Sequence, residues 1–209
     1  MMEQKIRSKY SGVLEINYVN GKKVLDSKNT SYSYGNLQKV WDKVLQKIQM
    51  TGAERTLILG MGAGSSIALL RDKYKHTGKI VAIELDPVII EIADTEFGIR
   101  PGKDLQIECV DAAEYVIRKT RKFELILIDL FIDDKVPGKF LSREFWKAIA
   151  GKTAEKGKII FNAFEDENKL AVIREELESA GLAVQFFPKI NGSNMMVYGE
   201  RKSNDERNS

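Results

Sequence analysis

From residue 56 onward one pattern repeats: a short apolar run, a turn, then a stretch with apolar residues at helical spacing. TLIL (56–59) precedes a helical stretch around 65–75, and KIVAIEL (79–85) precedes DPVIIEIADTEF. DLQIECV (104–110) precedes DAAEYVIRK, FELILIDL (123–130) leads through Pro137-Gly138 to SREFWKAIAGK, and GKIIFNAF (157–164) precedes ENKLAVIREELESAG. Strands with nearly continuous apolar character are buried on both faces, and their alternation with helices implies a parallel, doubly wound α/β sheet. LAVQFFP and NMMVYGE, joined around Asn191-Gly192, read as an antiparallel pair that brings the sheet to seven strands. Asp86 is placed to N-cap its helix with Pro87 in the first helical position, and Asp111 with Glu114 has the spacing of a capping box.

The segment before this repeat differs in kind. GVLEINYV alternates, Asn20-Gly21 is a strong hairpin turn because both residues tolerate positive φ, and KKVLD begins the return strand. Residues 36–50 place Leu37, Val40, Trp41, Val44, Leu45 and Ile48 on one helical face. We therefore expect a small β-hairpin and helix subdomain at 1–50, a Rossmann-like domain at 51–200, and a polar, disordered tail at 201–209. The 33 basic and 30 acidic side chains leave a formal net charge of +3, which argues against a dedicated nucleic-acid binder. Arg71, Lys73 and Lys75 read as a solvated face. One cysteine fits a reducing compartment, and Cys109, on an apolar strand, is expected in the core. With one histidine in the chain no His/Cys zinc site can form, and His76, in a charged turn, is expected to face solvent. The N-terminus lacks an apolar core of signal-peptide length, and no run reaches the ~18 apolar residues of a membrane span. The expected location is the cytoplasm.

TLILGMGAGSS carries the chemistry. Gly60, Gly62 and Gly64 occupy alternate positions where a strand must turn into a helix, so backbone N–H groups can approach a ligand at a helix N-terminus. A dinucleotide fold wants G-x-G-x-x-G, but here the third glycine comes one residue early and Ser65 stands in its place. G-x-G-x-G resembles the arrangement of Rossmann-like enzymes that use S-adenosylmethionine (SAM). Acids stand at the ends of the next three strands. Glu84 can accept hydrogen bonds from both ribose hydroxyls, Asp111 can face an adenine amino group while capping its helix, and Asp129 stands where catalytic groups of such sheets gather. Four suitable groups at four successive strand ends point to a cofactor cradle.

At this level the sequence resembles the spermidine synthase (aminopropyltransferase) family over roughly residues 10 to 165. VLEINYVNGKKVLD resembles its N-terminal β segment, TLILGMGAG its first motif, IELDPVII, CVDAAEYV and LILIDLF the next three, and YSYGNL (32–37) the segment lining the amine pocket. The resemblance implies that Glu84 binds ribose, that Asp111 with Ala112 holds adenine, and that Asp129 meets the attacking amine. It further implies that Tyr34 lines the acceptor site and that the protein forms a homodimer; Asp133, one residue past the family's second-acid position, is expected to face the acceptor as well. Three departures stand out. Ala63 occupies the position of the family's glycine-loop Asp, Ile132 that of its second acid, and Gly35-Asn36 that of the pocket His or Gln and Glu.

The first departure bears on the cofactor. SAM keeps a carboxylate that decarboxylated SAM lacks, and an Asp about 4 Å away would repel it by ~1 kcal/mol in water and ~4 kcal/mol at an effective dielectric near 20. Alanine removes that repulsion together with the anchor for an aminopropyl ammonium. The expectation is thus a SAM-dependent transferase moving a methyl group to a small acceptor, an amine among the candidates. The alternative is an aminopropyltransferase using decarboxylated SAM. A non-catalytic SAM-binding module is the reading from another class; DLFI after the fourth strand lacks the Pro-Pro-aromatic motif of base methyltransferases.

Overall fold

The computed structural model describes residues 4–27, 31–52, 54–131, 135–163, 167–190 and 194–202. The expected hairpin is part of a four-stranded antiparallel sheet of β1 (Gln4–Ser8), β2 (Gly12–Val19), β3 (Lys22–Ser27) and β4 (Ser31–Ser33), paired in chain order. Asn20 and Gly21 have φ of 51° and 75°, so Val19 pairs directly with Lys22 across a two-residue turn. β1 lies outside the hairpin that the alternation alone suggests.

The second sheet has the seven strands expected. β5 (Thr56–Leu59), β6 (Ile80–Glu84), β7 (Leu105–Cys109), β8 (Phe123–Ile128) and β9 (Thr153–Ala163) run parallel. β10 (Leu182–Ile190) and β11 (Asn194–Arg201) form an antiparallel pair, with β11 against β9, so the order is β10-β11-β9-β8-β5-β6-β7. Successive side chains of a strand point to opposite faces, and the core divides accordingly. Leu57, Leu59, Ile83, Ile126 and Ile128 face α4 (Ala112–Arg118), α5 (Arg143–Lys152) and α6 (Glu167–Ser179). Ile58, Ala82, Leu125 and Leu127 face α1 (Gly35–Leu45), α2 (Ser65–Asp72) and α3 (Pro87–Phe97). Helix α1 packs here through Val40, Trp41 and Val44, so it covers the large sheet. The small sheet lays Leu14, Ile16 and Leu25 on Ile89 and Ile92 of α3 and on Ala63.

β5 has β6 on one side and β8 on the other, where the strand order reverses, and ligands of such sheets bind beyond the carboxyl ends at that point. Among the described residues, no helix is long and apolar enough to cross a membrane.

Two expectations are corrected. His76 is buried, with Nε2 3.0 Å from Thr56 Oγ1 and Nδ1 3.3 Å from an Arg71 nitrogen. Its turn folds under the amino ends of β5 and β6, where Arg71 also donates to the carbonyls of His76 and Asp104, at 2.5 and 2.9 Å. Arg71 therefore ties the turn down and is not part of a solvated face. Cys109 is exposed at the end of β7, an edge strand, and its thiol donates to the Leu85 carbonyl at 3.7 Å.

Candidate cofactor and acceptor site

Gly60, Gly62 and Gly64 have φ of 79°, 53° and 86°. At two of them the need for glycine is doubled. A Cβ on Gly60 would lie 2.0 Å from the Asp129 carbonyl oxygen, and one on Gly64 would lie 2.7 Å from Ile99. The loop is thus pressed against the end of β8 on one side and capped by the residues after α3 on the other. Gly64 serves as N-cap of α2 without a side chain, so the first turn of that helix has no side-chain partner from its cap.

Glu84 ends β6 beneath this loop. One of its oxygens accepts from Gly62 N–H at 3.0 Å, and the other from Leu85 and Asp86 N–H at 2.9 and 3.1 Å. Burial nevertheless pushes its pKa up to about 7 against those three donors. Asp86, two residues on, is buried and caps α3 by accepting from Val88 N–H at 3.0 Å. Its other oxygen accepts from the Ser8 hydroxyl and from the Ser11 hydroxyl, the latter at 2.8 Å. The turn between β1 and β2 is thereby fastened to the loop that follows Glu84. No local signal marks Ser8 or Ser11, because their partner lies 78 and 75 residues away.

Asp111 caps α4 by accepting from Ala113 N–H at 2.8 Å, as its spacing suggests, and Ala112 is buried beside it. Its second oxygen accepts from Lys139 Nζ, reached from the 3₁₀ turn Gly138–Leu141. Burial alone would raise this acid, but Lys139 and the helix amides hold it below its ordinary value. Lys139 also lies 4.9 Å from the centre of the Phe140 ring.

Asp129 follows β8, half-buried. Asn162 Nδ2, from β9, donates to one oxygen at 3.0 Å, and Trp41 Nε1, from α1, donates to the other at 3.1 Å. Loss of water raises its pKa to about 6 despite both donors. Trp41 is the packing residue its helical spacing implies, and it has a polar end aimed at this acid. Asn162 and Lys139 had no sequence signal of their own. Tyr34 reaches the same loop, its hydroxyl 3.4 Å from the Ala63 carbonyl and its ring stacked on Phe97 at 4.6 Å. Asp133 lies outside the described residues, as does the tail from 203 on.

One crevice therefore gathers the glycine loop, Glu84, Asp129 and Tyr34, with Asp111 two residues past the partner of Glu84 in the β6–β7 register. The positive-φ glycines leave room for a ligand's backbone approach, and Glu84 offers acceptor oxygens to a diol, so the residues fit the adenosyl end of a sulfonium cofactor.

No family model matches the chain. The chain is 31% identical to a polyamine aminopropyltransferase of Vibrio vulnificus over 114 residues, 53% of this chain and 38% of that protein. It is 28% identical to polyamine aminopropyltransferase 2 of Aquifex aeolicus over 169 residues, 73% of this chain and 34% of that one. The matched segments thus span little more than a third of these relatives. A "probable spermidine synthase" from Corynebacterium glutamicum superposes with a TM-score of 0.77 over 96% of this chain and 80% of its own, at 17% identity. Human methyltransferase-like protein 13, solved with SAH, gives 0.62 over 79% and 78%, at 18% identity. In sequence the chain is similar to polyamine aminopropyltransferases, and its seven-stranded Rossmann-like fold is shared with these two structures.

Proposed function

We propose that this chain is a SAM-dependent transferase of the spermidine synthase-like group, moving a methyl group to a small acceptor, an amine by preference. The observation that carries this reading is Ala63. It is fully buried against Leu14, Ile16, Leu25, Ile89 and Ile92, so the glycine loop presents no carboxylate where an aminopropyl ammonium would need one. The adenosyl group would lie over Gly60–Gly64, with its ribose hydroxyls donating to Glu84 and its adenine amino group to Asp111. The cofactor supplies the electrophilic carbon, and the chain's part is alignment. Asp129, ionised at neutral pH, would orient the attacking amine and receive its proton.

Aminopropyl transfer from decarboxylated SAM is the second reading, favoured by the 31% identity to a polyamine aminopropyltransferase. Calorimetric titration with each cofactor separates the two. Tighter binding of SAM supports methyl transfer, whereas tighter binding of decarboxylated SAM overturns the argument from Ala63. If both fail to bind, the cradle reading falls. An Asp129→Asn protein is expected to bind SAM normally and to lose 10²-fold or more in turnover, the scale of a lost general base.

A further inference from the structure

Asp129 is held from both sides. Its partners come from two other elements: Trp41, on the helix that precedes the glycine loop, and Asn162, near the end of the neighbouring strand. Trp41 is 1% exposed and Asn162 is 1% exposed, so neither exchanges its bond for water. Each oxygen of the carboxylate receives one donor and keeps further acceptor capacity. An indole N–H can donate but never accept. A proton on the oxygen facing Trp41 would therefore set two donors against each other. The ionised acid accepts from both donors at full strength, whereas the protonated acid accepts from Trp41 only through a weaker, uncharged bond.

We propose that Trp41 and Asn162 are positioning residues that fix the orientation of the Asp129 carboxylate and keep it in the proton-accepting form. The assignment rests on the preceding reading only in giving Asp129 an acceptor's proton to receive; the clamp itself is a property of the ligand-free protein. The geometry makes two demands in tension. Burial favours the neutral acid, whereas charge-assisted bonds from the two donors favour the anion. Among the described residues these donors are the only side chains that pull the acid towards ionisation, and no charged group contributes. A base of this kind can be basic enough to take a proton and still be ionised at neutral pH. With one donor removed it would protonate near pH 7 and lose its aim. The role ascribed to α1 changes accordingly: besides covering the sheet, it delivers a fixed dipole to the crevice.

The chain has two tryptophans, which makes the clamp directly observable. Trp146 Nε1 donates to the Phe140 carbonyl at 3.0 Å in the opposite face's core and serves as an internal reference. In ¹⁵N-labelled, ligand-free protein, the Trp41 indole N–H resonance is expected to titrate with a single midpoint near that of Asp129, about 6, while that of Trp146 stays flat. Asp129→Asn should abolish the titration. Asn162→Leu should move the midpoint up by about one unit, the shift produced by one lost charge-assisted bond. A Trp41 resonance that stays flat between pH 4.5 and 8.5 overturns the proposal, as does an unmoved midpoint in a folded Asn162→Leu protein. If that variant does not fold, the wild-type titration decides alone. Failure to bind either cofactor with the titration intact would instead remove the functional reading and leave the clamp standing.

Discussion

At Glu84 desolvation competes with backbone hydrogen bonds, and changing it to Gln measures the outcome. Burial raises its pKa from 4.5 to about 7, while three backbone N–H groups favour the carboxylate. A raised acid stabilises the fold when protonated. Its contribution is complete below about pH 4.5 and is lost as pH rises through 7. The shift corresponds to about 3 kcal/mol, of which roughly 2–3 kcal/mol disappears between pH 5 and pH 8. Glutamine is neutral at every pH, but its amide nitrogen cannot accept one of the N–H bonds that a carboxyl oxygen takes, a pH-independent cost of about 1–3 kcal/mol. Urea unfolding of both proteins should therefore show the Glu84→Gln protein gaining on wild type by roughly 2–3 kcal/mol between pH 5 and pH 8. A difference that does not change with pH would refute the reasoning. Wild type gaining on the variant as pH rises would mean that the three N–H groups outweigh desolvation and that the carboxyl titrates below 4.5.

Two further expectations follow from the same crevice. Gly60→Ala puts a Cβ 2.0 Å from the Asp129 carbonyl at a φ of 79°, and the ends of β5 and β8 must part to admit it. A loss of at least about 3 kcal/mol in unfolding free energy is expected, and a loss under about 1 kcal/mol would show that the loop yields freely. Lys139 is 49% exposed and paired with Asp111, so Lys139→Ala should change stability by less than about 1 kcal/mol. By freeing that acid it should tighten SAM binding by up to about fivefold in a calorimetric titration. Binding weakened tenfold would instead mark Lys139 as a ligand contact.

Residues that announce themselves locally were legible in the sequence. The glycine spacing, the acids at strand ends, the Asp86 and Asp111 caps and the Asn20-Gly21 turn depend on neighbours within a few positions. Each is present in the structure. The second layer was not legible. The Trp41–Asp129 bond spans 88 positions and the Asn162–Asp129 bond 33, and both depend on how α1 and β9 pack. His76 shows the same limit from the other side. Its charged neighbours suggest solvent, yet the turn is drawn under the sheet by Arg71, whose carbonyl partner Asp104 lies on a different βα unit. Cys109 misled for a related reason: an apolar strand reads the same whether it ends at the sheet's centre or at its edge.

The place of β11 sets a timetable for synthesis. Residues 194–201 are inserted between β9 and β10, so a nascent chain that has reached β10 has no partner for it in the sheet. Until β11 clears the ribosome, the edge of β9 stays open, with the backbone of Ile159–Ala163 unpaired on one side. The five parallel strands can assemble as the chain emerges, but the sheet is sealed by nearly the last of the described residues to be made. During that interval the unpaired edge is an open template for mispairing.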